Sequence, residues 1–252
     1  MVANYGSGSV AALPISTDGS LGDPTGFDQH HGAGINPSRQ EGPHAHSILP
    51  DPTGRYALAA DLGLDKIFIY ALDPKHGRIS AADPATAEVR AGSGPRHMAF
   101  SPNRRFVYVI SEMGSLITAF RYEPGRLTYL QEISTLPPGY NGENTGAEIA
   151  AHPSGRFLYA SNRGDNSIAL FHLDQHSGRI VFVSAFSSGG RTPRNFAIDP
   201  TGQYLLAANQ DSNSVVVFRI DQKNGSLAPV GSPTTVSSPV CIAFSPRRIA
   251  HQ

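Results

Sequence analysis

Histidine, arginine, glutamate and glutamine stand at two recurring places in this sequence where packing alone calls for none of them. Six residues before a recurring proline are His46, Arg96, Ala147 (with Glu148 beside it) and Arg194; ten after it are Leu62, Glu112, Arg163 and Gln210. Guanidinium groups offer planar forks that grip a phosphate or carboxylate and polarise a carbonyl. A carboxylate and an imidazole can activate water or protonate a departing oxygen. The sequence contains no Gly-x-Ser-x-Gly elbow, and its one cysteine, Cys241, lies in an apolar stretch, so no covalent nucleophile is expected.

These residues are positioned by an internal repeat. Residues 46–73, 96–123, 147–174 and 194–221 align without gaps on Pro52, Pro102, Pro153 and Pro200, which lie 50, 51 and 47 residues apart. That spacing suits a four-stranded propeller blade. Each unit reads as a short apolar strand, a proline turn and a second strand opening on Tyr56, Phe106, Phe157 or Tyr204. Gly54, Gly155 and Gly202 supply positive φ in three of the turns. The second strand closes on Asp61, Ser111, Asn162 or Asn209, suited to an Asx-type turn, and two more strands follow. No sustained 3.6-residue period occurs, so helices should be minor. The expected fold is all-β: one β-propeller domain over residues 1–252, with four-stranded blades near 46–93, 96–143, 147–191 and 194–237. In such a blade the start of the first strand and the end of the second share a face, and first strands line the central channel. The two variable positions therefore converge on one mouth. Their neighbours read as apolar or turn residues that hardly change between repeats.

The ends read as partial units. Residues 4–21 match the back half of a repeat and residues 239–248 only its front strand and turn. Either the two ends complete a fifth blade, since open sheet edges are a liability, or the chain lacks N-terminal blades of a larger ring. The second reading is preferred, because the end of a second strand is an odd place to begin.

Composition narrows the classes. Lysine plus arginine and aspartate plus glutamate number 20 each, leaving no basic field for nucleic acid or a membrane surface. Apolar runs are strand-sized and the first residues do not read as a leader. A lone cysteine forms no internal disulfide, so a cytoplasmic setting is expected. His44 and His46 share a strand, with His30 and His31 nearby, but nothing completes a ligand set; neither metal nor other cofactor is expected.

The stretches 39–67, 94–112, 147–171 and 193–218, with PHAH, GPRH, AEI, SNRG and PRNFAIDP, resemble the propeller lactonase family. That family includes bacterial-type 6-phosphogluconolactonases and a fungal carboxymuconate-lactonising enzyme. The likeness runs from Asn4 to Pro246. It implies a seven-bladed ring, with about two N-terminal blades absent here. It also implies hydrolysis of a sugar lactone, 6-phosphoglucono-1,5-lactone in the pentose phosphate pathway, with that phosphorylated sugar lactone as the small-molecule partner. The family's catalytic set falls on His46, Arg96, Glu112 and Arg163, with Arg39, Gln40, His44, Glu148, Arg194 and Gln210 as substrate-binding lining. In the mechanism this suggests, Arg96 and Arg163 hold the anionic group and polarise the carbonyl. Glu112 or His46 takes a proton from water, and the other assists the ring oxygen.

Structural readings stand beside these. The arginines could be ion pairs between blades, Glu112 a solvated loop carboxylate, and His44 or His46 a buried turn histidine. Arg55, Arg105 and Arg156 recur beside the turn on the opposite face, which argues for a structural role. Segment 136–147 is either a lid or an irregular connection. The rival functions are lactone closure, as in muconate-lactonising relatives, and a non-catalytic binding platform. Charged mouth positions and the absence of tryptophan count against the platform.

Overall fold

Each repeat folds into its own antiparallel sheet. The computed structural model describes residues 1–245. Strands β1 (Val2–Asn4), β2 (Ser9–Ala12) and β3 (Gly26–Gln29) form a three-stranded sheet. The next sheet is β4 (Ala45–Pro50), β5 (Tyr56–Asp61), β6 (Lys66–Asp73) and β7 (Arg78–Glu88). Then come β8 (Pro95–Phe100), β9 (Phe106–Ser111), β10 (Leu116–Glu123) and β11 (Arg126–Ser134), and β12 (Gly146–Ala151), β13 (Phe157–Asn162), β14 (Ser167–Leu173) and β15 (Ile180–Ser187). The last sheet holds β16 (Pro193–Ile198), β17 (Tyr204–Asn209), β18 (Ser214–Ile220), β19 (Leu227–Pro229) and β20 (Thr234–Thr235), with β19 and β20 both paired to β18. One 3₁₀ turn, Gln210–Ser212, is the only helical element among the described residues.

The strands pair in sequence order, so each sheet is an up-and-down blade, and consecutive first strands β4, β8, β12 and β16 lie side by side. The core sits between blades. Phe106, Tyr108 and Ile110 of β9 pack on Ile149, Leu158 and Ala160 of the following blade. Val107 and Val109, alternating with them, pack on Leu58 and Ala60 of the preceding one. Period-two alternation with both faces apolar is what lets one strand serve two cores. Buried tyrosines stitch blades together: Tyr108 and Tyr159 donate to the carbonyls of Gly178 and Gly225 at 3.0 and 2.7 Å.

The proline turns behave as their composition suggests. Gly54, Gly155 and Gly202 have φ of 69°, 71° and 72°. The second repeat lacks that glycine and Arg104 takes φ 62° instead. At the same rim the guanidinium groups of Arg105 and Arg156 lie over the rings of Phe106 and Phe157, a packing role that explains their recurrence.

The chain ends behave differently from the two-end blade. Alignment of Asn4 with Asn209 sets β1 at the place of a second strand, and the first sheet consists of β1–β3 alone. Residues 239–245, expected to supply a front strand, contain none, although the Ile242 amide donates to Asn195 Oδ1 at 2.8 Å. Residues 246–248 of that expected unit lie outside the described residues.

Candidate active site

A bulge in every first strand aims the candidate side chains. Pairing skips between Ala45 and Ser47, Pro95 and His97, Gly146 and Ile149, and Pro193 and Asn195. The skipped residues are His46, Arg96, Ala147–Glu148 and Arg194, the positions six before the proline. A β-bulge sets two residues against one and re-aims a side chain, so the irregularity recurs where chemistry is expected. The position ten after the proline is fixed from the other side. Amides of Leu62, Glu112, Arg163 and Gln210 donate to the carbonyls of His44, Gly94, Thr145 and Thr192 at 2.9, 2.7, 2.9 and 2.9 Å.

Glu112 is the hub. Its carboxylate accepts from Arg39 at 2.6 Å, Arg96 Nε at 3.0 Å and Arg163 at 2.9 Å, with His46 Nε2 at 3.9 Å. The Glu112 residue is 7% exposed and Arg96 2%. Arg96 also donates to the Ala147 carbonyl at 2.6 Å and Arg163 to the Gly146 carbonyl at 3.1 Å. Two buried atoms of this cluster, His46 Nδ1 and Arg163 Nε, have no hydrogen-bond partner among the described residues.

The electrostatics follow from that packing. Burial alone would raise the Glu112 carboxyl, but Arg163, Arg39 and Arg96 hold it down at about 2. His46 is pushed down to about 3, first by burial and then by Arg96 and His97. Arg96 is lowered to about 10, by burial and then Arg163, with Arg194 contributing. Arg39 is raised by its bonds to Glu112 and Tyr5. At neutral pH the centre is thus a carboxylate anion clasped by cations beside a neutral imidazole.

The remaining candidates divide. Glu148 belongs to a second layer: it contacts His97 Nδ1 at 2.9 and 3.0 Å and accepts from Asn195. Arg194 is half-buried and acts on Arg96 through space. Gln210 is half-buried in the 3₁₀ turn, with no side-chain hydrogen bond among the described residues. Gln40 is turned inward: it is fully buried, donates to the Leu62 carbonyl at 2.8 Å and accepts from the Asn36 amide at 3.1 Å. Its amide is spent on holding a loop, because a buried backbone group needs a partner. His44 stacks on Tyr5, at 4.6 Å between ring centroids, and bonds the Tyr5 carbonyl at 3.0 Å and Glu41 at 3.3 Å. Segment 136–147 is fastened: Asn144 Oδ1 accepts from the Gly164 and Asp165 amides at 2.8 and 3.1 Å.

Three mouth residues escaped the repeat reading. Tyr5 stands where Gln210 stands in its own blade and packs edge-on to His46 at 5.5 Å. His97 and Asn195 stand five before the proline, a position that carries Ser47, His97, Glu148 and Asn195 in turn. This overturns the expectation that neighbours of the variable positions are uniformly apolar or turn residues; its all-polar composition was the available signal.

The family profile described as lactonase, seven-bladed β-propeller, matches residues 1–244. This chain belongs to that family. It is 37% identical over 197 residues to the 6-phosphogluconolactonase of Bacillus subtilis, covering 77% of this chain and 55% of that protein. It is 33% identical over 183 residues to that of Pectobacterium carotovorum, covering 72% and 52%. The solved periplasmic gluconolactonase of Pseudomonas aeruginosa superposes with a TM-score of 0.89 at 39% identity, over 94% of this chain and 67% of that one. This family member thus spans about half the length of the curated relatives it matches. Its described residues contain no helix long and apolar enough to cross a membrane.

Proposed function

We propose that the mouth cluster hydrolyses a sugar lactone carrying an anionic group, 6-phosphoglucono-1,5-lactone above others. One observation carries this reading: four guanidinium groups, Arg39, Arg96, Arg163 and Arg194, gather against three carboxylates among the described residues, Glu112, Glu148 and, beside Arg39, Glu41. One positive charge is left over, and it favours an anionic substrate group such as a phosphate. The names of the Bacillus and Pectobacterium relatives point to the same substrate.

In this reading Arg96 and Arg163 polarise the lactone carbonyl and stabilise the oxyanion, while Arg39 and Arg194 take the phosphate. Glu112 stays ionised and fixes the arginines. His46, neutral and partly exposed, stands beside Glu112 where it assists the leaving ring oxygen. Carboxyl and imidazole groups held at about 2 and 3 are poor bases near neutrality, so the water proton goes to another group. A cytoplasmic setting belongs to the proposal, since a phosphorylated sugar does not cross a membrane unaided; recovery of the protein from a periplasmic or secreted fraction would contradict it.

The test is proton release in a pH-stat, with spontaneous hydrolysis subtracted, on 6-phosphogluconolactone, gluconolactone and a carboxymuconate. Preference for the phosphorylated lactone by about tenfold or more in kcat/KM is expected, one extra charge-assisted bond being worth at least 1.4 kcal/mol. Equal use of gluconolactone would remove the phosphate assignment. Lactone formation from the muconate alone would move the site to ring closure, and inertness on all three would leave a binding module.

A further inference from the structure

Below the arginine cluster lies a second layer made by the residues five before each proline. His97 Nδ1 lies 2.9 and 3.0 Å from the two oxygens of Glu148. A carboxylate only accepts, so Nδ1 carries the proton and Nε2 the lone pair. Glu148 is itself locked: Oε1 accepts from the Ile149 amide at 3.0 Å, Oε2 accepts from Asn195, and its own amide donates to Ser161 at 3.0 Å. Asn195 is held by the Ile242 amide at 2.8 Å. The His97 ring meets His46 edge-on at 5.2 Å, and His46 leads to Glu112 at 3.9 Å. Nε2 makes no hydrogen bond within the described residues, and the His97 side chain is 28% exposed. A packed structural histidine buries and satisfies both nitrogens; this one has a fixed tautomer and an unpaired Nε2 among the described residues, one ring away from Glu112 through His46.

We infer that His97, oriented by Glu148 and Asn195, is the base that activates water in the lactone hydrolysis proposed above. The inference rests on that reading. His97 Nε2 removes a proton from water as its oxygen bonds to the lactone carbonyl carbon, and Arg96 and Arg163 take the resulting oxyanion. Collapse breaks the bond between that carbon and the ring oxygen. The ring oxygen leaves as a hydroxyl with the proton returned from His97, and the acid proton of the product passes to solvent. Glu148 offsets the transient imidazolium, as a positioning residue. The titratable groups that touch His97 among the described residues are Glu148 and His46. The low values of Glu112 and His46 leave no better base among these side chains.

The experiment compares the full-length protein with His97→Gln, His97→Gly and Glu148→Gln, with folding checked by circular dichroism. His97→Gln should lose about 10²-fold in kcat with KM within about threefold. His97→Gly should regain rate with added imidazole, which a merely structural role would not produce. Glu148→Gln should lose about tenfold in kcat with KM within about threefold, because an amide cannot hold the Nδ1–H with two oxygens. A folded His97→Gln enzyme with wild-type kcat, or a folded His97→Gly enzyme that added imidazole does not rescue, would overturn the assignment while wild-type lactonase activity stands. Wild-type turnover no faster than spontaneous hydrolysis would overturn the lactonase reading and this role together.

Discussion

Two clusters of histidine and carboxylate lie near the same face and differ in one respect. Beneath the first blades, His30 Nδ1 meets Asp61 Oδ2 at 2.5 Å and its Nε2 meets the Tyr70 hydroxyl at 2.7 Å; that hydroxyl reaches Asp28 at 2.8 Å. Asp61 Oδ1 accepts the amides of His44, Gly63 and Leu64 at 2.8, 2.9 and 3.2 Å. The His30 ring stacks on Phe68 at 3.7 Å. Every nitrogen and oxygen of the His30 and Asp61 side chains is spent. In the mouth, His46 Nδ1 and Arg163 Nε are buried without partners among the described residues and cations outnumber anions. A satisfied network stabilises a fold. An unsatisfied one, held in place by a bulge and a backbone bond, costs stability, and its surplus of cations suits an anionic ligand.

The contrast breaks most readily at Arg96. Arg96→Met should cut kcat/KM about 10³-fold, roughly 4 kcal/mol of transition-state stabilisation. A loss below tenfold would remove Arg96 from the chemistry. The opposite result is expected at His30. His30→Ala leaves Asp61 Oδ2 and the Tyr70 hydroxyl short of a partner and should cost about 3 kcal/mol of stability, with turnover unchanged below the melting point. Thermal melting and the pH-stat assay separate the two outcomes, and lost turnover in a folded His30→Ala protein would merge the two clusters.

A smaller effect concerns acid stability. His46 binds a proton near 6.5 when unfolded but only near 3 when folded, so the unfolded state holds more protons between those values. Stability then rises with pH across this window and is lost as pH falls through it. His46→Gln removes that contribution, and the decline in unfolding free energy between pH 7 and 5 should shrink by about 2 kcal/mol in urea titrations. An unchanged decline would show that His46 protonates freely in the folded protein. The smallest effect is expected at Gln210, where Gln210→Ala should change kcat/KM less than about threefold, since its side chain makes no hydrogen bond among the described residues.

The blades were legible because three signals agree at each repeat: the proline turn, the aromatic four residues later and the two-residue alternation of the second strand. The arginines and Glu112 were legible because repetition marks the places that do not repeat. Gln40 was not, since a glutamine in a glycine-rich loop looks alike whether its amide faces solvent or caps a carbonyl. His97 was hidden for another reason. In a regular strand His97 and Arg96 would face opposite sides, and the bulge between Pro95 and His97 leaves only the run of polar residues at that position, Ser47, His97, Glu148 and Asn195, to hint at it.

Glu112 tests the account most directly, since three arginines take their positions from its carboxylate. Glu112→Gln, compared with the wild type for 6-phosphogluconolactone turnover at neutral pH, should lower kcat by about 10²-fold as the arginines lose their anchor. Undiminished kcat in a folded Glu112→Gln protein would contradict the claim that this cluster is where the lactone is opened.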